Sequence, residues 1–314
     1  MANEMRKVYL DRCPGYASPR LDDCLATMLA EILPSGPLRQ RTVLLKPNCI
    51  SVRGGLLACT EPSFILAAAR WFVDQGARVR VGDSPAFGTA AQVFRKMGIE
   101  GELRRMSVGV ADFGRARRVE LPSGLRVGMA AEALDCDLLV NLPRVKAHAQ
   151  MRVTLGVKNL FGCVVGMRKP IWHMVHGGDH GSFAEHLVEL LEVLGPTTTL
   201  VDGITAMHRT GPIGGEPYPL HLVAGGEDPV AVDRALLEIL AVPPESSPLM
   251  GVCLRSGNRS ADLASLDFPH RTPAELAVDS FIVPERLSPV RFNPFRFLRS
   301  GLRRMWLKVT APSS

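Results

Sequence analysis

The strongest constraint on the fold is a repeated switch in hydrophobic period. Thr42–Lys46 (TVLLK), Ala77–Val81, Asp137–Asn141 (DLLVN), Thr198–Val201 and Leu220–Ala224 are short runs, largely apolar. Runs this short read as strands, and apolar side chains on both faces place them inside a parallel sheet. Between them, Leu21–Leu33, the stretch from Glu61-Pro62 to Gln75, Thr89–Met97, Phe183–Leu194 and Asp228–Leu240 read as amphipathic helices. Each has its own stop: Pro34-Ser-Gly-Pro37, Gly76, Gly98, Gly195-Pro196 and Pro243-Pro244. Strands alternating with helices predict an α/β fold with a largely parallel, doubly wound sheet. Arg117–Val127 reads as a hairpin turning at Pro122-Ser-Gly124, and the segment at about 84–136 interrupts the rhythm as an inserted capping subdomain. The expected organisation is one α/β domain over 1–242, an irregular edge region over 243–285 and a basic amphipathic tail over 286–314.

Charge and cysteine use narrow the function. The chain of 314 residues carries 37 Lys and Arg against 31 Asp and Glu, a net charge of +6. Seven of the basic residues lie between Arg286 and Lys308 with no acid among them, so the body is close to neutral. That argues against a nucleic-acid partner and leaves room for a local positive site. The seven cysteines (13, 24, 49, 59, 136, 163, 253) contain no C-x-x-C pair. Two thiolates can share one metal only when brought close, so no zinc ribbon or iron–sulfur cluster is expected in this chain. Buried free thiols, no apolar leader and no transmembrane run make the cytoplasm the expected compartment.

Each predicted strand runs into a polar cluster: Lys46-Pro47-Asn48, Gly82-Asp83-Ser84-Pro85, Asn141 through Lys146 to His148, and Asp202-Gly203. Parallel α/β sheets bind ligands beyond the carboxyl ends of their strands, where loops diverge. Turn chemistry alone accounts for Pro47, Pro85, Pro143 and Gly203. It does not call for Lys46, Lys146 or His148, and a shared site on one rim is predicted. In Thr154–Gly162, Lys158 and Asn159 sit within an apolar stretch. A buried ammonium needs a partner, so Lys158 is expected to face an anionic ligand or to bridge Asp83 or Asp202.

Five of the eight histidines fall between 148 and 186. His173 with His176, and His176 with His180, have helical ligand spacing, but Gly177-Gly178 breaks a helix between the latter pair. A loop contacting ligand is favoured, with a divalent metal as the alternative. Gly211 and Gly214 frame a tight glycine-rich loop that lacks a P-loop signature and brings backbone N–H groups to the rim. The tail interleaves basic residues with Phe292, Phe295, Phe297 and Trp306. It fits peripheral contact with an anionic membrane at its inner face, or a helix docked on its own domain or a partner subunit, the latter favoured.

The motifs LLKPN (44–48), TEP (60–62), GDSP (82–85), NLPRVKAH (141–148), TLGVKNLFG (154–162), VDGITAM (201–207), the glycines at 211 and 214, and DPVAVD (228–233) occur in an order that resembles the DUF362 family. The resemblance spans about residues 20–242. Many members of that family carry a ferredoxin-like module with two iron–sulfur clusters, which implies oxidoreductase or electron-transfer activity. This chain lacks the cysteine run, so a redox step would require an external cofactor or partner protein. Where the family more often has Lys-x-Lys-Thr-His, this chain has Arg144-Val-Lys146-Ala147-His148. A remoter likeness is to nickel-dependent lactate racemases.

The functional expectation is an enzyme, oxidoreductase-associated, acting on an anionic small molecule. Lys46, Asn48, Ser84, Asn141, Lys146, Asn159, Asp202, Gly211 and Gly214 would bind substrate. His148, Lys158, His173, His176 and Asp83 would carry the chemistry, with imidazole moving protons near neutral pH. The alternatives are a metal-assisted isomerase or racemase, and a non-catalytic carrier of a cofactor or anion.

Overall fold

A computed structural model describes residues 5–17, 19–33, 38–50, 55–85, 88–165, 180–195 and 197–288. Nine strands form the main sheet. They are β1 (Tyr9–Arg12), β2 (Thr42–Pro47), β3 (Arg78–Asp83), β4 (Gly109–Asp112), β5 (Leu138–Leu142), β6 (Arg144–His148), β7 (Arg152–Thr154), β8 (Thr197–His208) and β9 (Glu216–Gly226). β2, β3, β4, β5 and β8 make the parallel body. β9 and β1 extend it antiparallel at one edge.

The chain lays down β2, β3 and β4 in one direction, then returns to place β5 on the other side of β2. The strand order therefore reverses between β2 and β5, where Lys46 stands opposite Asn141. Loops leaving the carboxyl ends of these two strands diverge, which opens a crevice there. β6 continues β5 beyond Pro143, and the long strand β8 borders both: Thr197–Thr199 pair with β5, and Asp202 and Met207 with β6. β7 folds back antiparallel on β6.

Side chains alternate between the faces of the sheet, and each face is covered by helices. Val43, Leu45, Val79, Val81 and Val140 pack with α1 (Arg20–Ile32), α2 (Pro62–Asp74) and α3 (Ala90–Met97). Leu44, Leu139 and Val201 pack with α4 (Gly156–Leu160), α5 (His180–Leu194), α6 (Pro229–Ile239) and α7 (Pro248–Arg255). The helix starts obey local chemistry. Glu61 caps α2 by accepting from Ser63 N at 2.6 Å, with Pro62 at the first helical position. Thr89 and Gln92 form a capping box on α3, which Gly98 ends in the left-handed conformation. Asp228 accepts from Val230 N at 2.8 Å to start α6.

Within the segment at about 84–136, α3 and β4 add a further layer to the main sheet, with β4 beside β3. The hairpin Ala116–Glu120 and Arg126–Ala130 stands apart as its own two-stranded sheet. Its Leu121, Val127 and Met129 join the core on the α4 side. Six of these elements were not read from sequence: β1, β4, β6, β7, α4 and α7. The span Arg144–His148 is polar in composition, yet all five of its residues are buried, because the strand borders a polar interior rather than an apolar one.

Leu44 is 1% exposed in the middle of the sheet. Leu44→Ala is expected to lower unfolding free energy by about 2–5 kcal/mol in denaturant titration. Arg95→Ala, on the exposed face of α3, should leave the unfolding midpoint essentially unchanged in the same titration despite its bond to Glu100.

Candidate functional site

The polar ends of the strands meet at the reversal point. Lys46, Asn48 and Cys49 follow or end β2, and Asp83 and Ser84 end β3. Lys146 and His148 come from β6, Thr154 from β7, and Lys158 and Asn159 from α4. With Phe161, Gly162 and Pro212 they line a cavity of about 280 Å³. That is room for a small molecule.

Two lysines lie in the cavity wall with almost no exposure. Lys46 Nζ pairs with Asp83 Oδ1 at 2.8 Å and donates to Pro47 O at 3.1 Å. Asp83 also accepts from Ser84 N at 2.8 Å and from Cys49 N at 2.7 Å. Its lone pairs are thus used by an ammonium and two backbone groups, which suits an anchor better than a catalytic base. Gly162 backs directly on this pair: a Cβ there would collide with Asp83 Oδ1 and Lys46 Nζ. Glycine is required by close approach, not by a turn.

Lys146 is different. It is 1% exposed, and its Nζ donates to Asn48 Oδ1 at 2.6 Å and Ala58 O at 2.8 Å. Among the described residues no carboxylate lies within ion-pair distance of it. Burial pushes its pKa down from 10.5 to about 7, against the opposing pull of Cys59 and Asp83. Two acceptors satisfy both N–H groups of a neutral amine and leave its lone pair unspent.

Behind Lys146 runs a one-directional chain of amides. Asn48 Nδ2 donates to Asn159 Oδ1 at 2.7 Å, and Asn159 Nδ2 donates to Asn141 Oδ1 at 2.8 Å. Asn141 Nδ2 then donates to Gly156 O at 3.0 Å. Each amide orientation is assigned from this network. Asp233 fixes the start of α4, the helix that carries Asn159, accepting from Gly156 N at 2.6 Å and Val157 N at 3.1 Å. Burial raises the Asp233 carboxyl to about 8, offset in part by those two N–H groups.

His148 accepts at Nδ1 from Gln150 N (3.0 Å) and Met151 N (3.2 Å). An acceptor at Nδ1 places the ring proton on Nε2. In that assigned tautomer Nε2 is a hydrogen-bond donor. Lys158 Nζ stands 4.7 Å from the Phe161 ring centroid and 5.6 Å from that of Phe183, a cation–π arrangement. The ammonium paired with the Asp83 carboxylate is that of Lys46, not Lys158.

Thr154 Oγ1, in the same wall, is buried with no hydrogen-bond partner among the described residues. Sequence reasoning left it out because threonine in a strand is ordinary; only its unpaired hydroxyl in the cavity marks it. Cys49 is likewise new, its thiol held protonated by burial.

Not every expected residue converges. Asn141 lies beneath the cavity as the base of the amide chain. Asp202 is fully buried in a separate network, taken by Tyr16 Oη at 2.7 Å and Glu61 N at 3.0 Å, with the Arg144 guanidinium 3.8 Å away. It sits mid-strand in β8, not at a strand end. Gly211 packs its Cα against Ala147 O, leaving no space for a side chain, and the cavity wall is the next residue, Pro212. Gly214 is outside that wall, at φ +77°. His173 and His176 lie outside the described residues. Among the described residues no group of three or more His, Cys, Asp or Glu is placed to hold a metal ion.

The family described as Domain of unknown function (DUF362) matches residues 43–238. The chain belongs to this family. A thylakoid-associated protein of Synechocystis sp. (strain ATCC 27184 / PCC 6803 / Kazusa) is 36% identical over 309 residues, covering 97% of this chain and 96% of that relative. Among solved structures, the lactate racemase apoprotein from Thermoanaerobacterium thermosaccharolyticum aligns with a TM-score of 0.47 at 12% identity. That alignment covers 72% of this chain and 54% of the racemase, about half its length.

The DUF362 chain offers two checks on this geometry. Asp83→Asn strands the Lys46 ammonium and should cost about 3–5 kcal/mol, whereas Lys46→Met with Asp83→Leu should recover most of it. Denaturant unfolding of the wild type, the single variant and the double variant measures this. Lys146 binds its proton near pH 7 when folded but near 10.5 when unfolded. Between those values the unfolded chain holds more protons, so stability rises with pH. Lys146→Met should remove that rise, read as the wild-type-minus-variant difference in unfolding free energy between about pH 7 and about pH 10.

Proposed function

We propose that this chain is an enzyme that moves a proton on an anionic small molecule, with Lys146 as the base. The observation that carries the reading is a buried amine held by two neutral acceptors with, among the described residues, no carboxylate in ion-pair distance; burial pushes its pKa down to about 7. An amine so placed is half deprotonated at neutral pH and poised for general-base work. Lys158 supplies positive charge and the neutral His148 a donor, both lining the same cavity. The unpartnered Thr154 hydroxyl awaits a hydrogen bond. This set fits a carboxylate or phosphate whose neighbouring carbon bears an acidic hydrogen. The C–H electron pair remains on the carbon as an enolate, stabilised by the cationic wall, while the proton passes to Lys146 Nζ. The reaction class is isomerase- or racemase-like. An oxidoreductase-associated role keeps the same pocket and adds a partner that exchanges electrons.

A second reading, an anion carrier without turnover, is favoured by one observation: Lys46 and Asp83 satisfy each other and build a rigid floor. Contact with a membrane is peripheral and runs through 286–314. Its support is the run of basic residues without an acid and the thylakoid association stated for the relative. Among the described residues no helix is long and apolar enough to cross a membrane.

The test is hydrogen exchange at carbon. The full chain is incubated in deuterium oxide with a panel of small 2-hydroxy, 2-oxo and phosphorylated acids, and loss of the C–H proton signal is followed by NMR. The expected result is exchange of at least one acid, rising about tenfold per pH unit below pH 7 and levelling above it. Lys146→Met should abolish exchange, with the melting temperature as the check on folding. Binding of a panel member by calorimetry without exchange establishes the carrier, and neither binding nor exchange overturns both readings.

A further inference from the structure

We propose that the rim around the cavity mouth is the face by which this protein lies on an anionic lipid bilayer. The inference rests on the membrane reading above and deepens it by naming the docking surface.

Among the described residues four large apolar side chains are exposed: Met5, Leu56, Ile213 and Ile282. Three of them belong to segments that build the mouth. Ile213, half exposed at 50%, directly follows Pro212 of the cavity wall. Ile282 is joined to the same loop, its carbonyl accepting from Arg209 N at 2.7 Å. Leu56 opens the helical turn whose Ala58 carbonyl holds Lys146. Met5 sits apart, beside Thr197 at the amino end of β8. Single exposed apolar residues are ordinary, but three on segments bonded to or adjoining one cavity wall set that side of the molecule apart.

The second observation is where the basic tail is fastened. Ser288 N donates to Ala149 O at 2.8 Å, one residue from His148 of the cavity wall. Arg152 donates to the carbonyls of Pro284 and Glu285, tying the preceding residues to the turn between β6 and β7. From Ser288 to the end, the sequence carries Arg291, Arg296, Arg299, Arg303, Arg304 and Lys308 without an acid, interleaved with aromatic residues. Each such cation near an anionic leaflet adds about fivefold to partitioning. Cations for the headgroups and apolar side chains for the interface are two signals that strengthen one another, and Ser288, from which the basic run continues in sequence, is fastened beside the cavity wall.

The test uses the full chain with vesicles of phosphatidylcholine alone and with about one third phosphatidylglycerol. Flotation reads binding, and amide hydrogen exchange with and without vesicles reads the face. The expected result is binding to the anionic vesicles only. Exchange should slow at residues 210–214 and 280–288 and stay unchanged in the edge strand Gly109–Asp112. Ile213→Asp with Ile282→Asp should weaken partitioning about tenfold, whereas Met5→Asp leaves it as it was. The wild-type exchange pattern keeps the test valid should the double variant misfold. Flotation with unchanged exchange at the mouth and full binding by the double variant overturns the docking face while leaving the tail reading intact. No flotation on anionic vesicles overturns both.

Discussion

The site depends on one buried ion pair, Lys46 with Asp83. The two residues end the adjacent parallel strands β2 and β3, so the pair joins those strand tips beside the crevice that opens between β2 and β5. Taking both charges out of water is costly, and the cost is met only because Asp83 also accepts two backbone N–H groups. Replacement by apolar residues of similar volume would cost little in stability. What the pair contributes is position: it fixes the loop at Cys49, the turn at Ser84 and the backbone at Gly162, which has no side chain because the pair occupies that space.

On that floor the protein treats its lysines unequally. Lys46 is neutralised by a carboxylate, while Lys146, equally buried, meets only neutral oxygens. Pairing keeps a buried amine charged; burial without pairing drives it toward the neutral form. The amide chain from Asn48 through Asn159 to Asn141 supports that contrast, since each amide is oriented by the next and the last is held by the backbone. The result is a rigid acceptor aimed at Lys146 with no net charge to raise its pKa. Rigid support of this kind is what sites for chemistry require.

How much of this was legible varies residue by residue. The alternation of TVLLK-type runs with amphipathic segments gave the doubly wound sheet, and caps such as Glu61, Thr89 and Asp228 placed helix starts to within a residue. The convergence of Lys46, Asp83, Lys146, His148 and Lys158 followed from strand ends meeting on one rim. Asp202 misled because its run continues as a 12-residue strand, which moves a residue read as a terminus into the middle of the sheet. β6 was missed because strand recognition relies on apolar side chains, and this strand is buried against a polar cavity. The tautomer of His148 and the unpaired hydroxyl of Thr154 depend on neighbours across a turn or a wall, which no local pattern encodes.

By itself the sequence determined the layer architecture, the capped helix starts at Glu61, Thr89 and Asp228 and the set of charged groups available to one rim, because these follow from periodicity and local capping. Tertiary structure alone decided which lysine meets Asp83, which is left unpaired, and where the tail is fastened. Those outcomes are set by distances of a few ångströms between residues far apart in the chain. Electrostatic energy in a buried site turns on such distances, and composition carries no record of them.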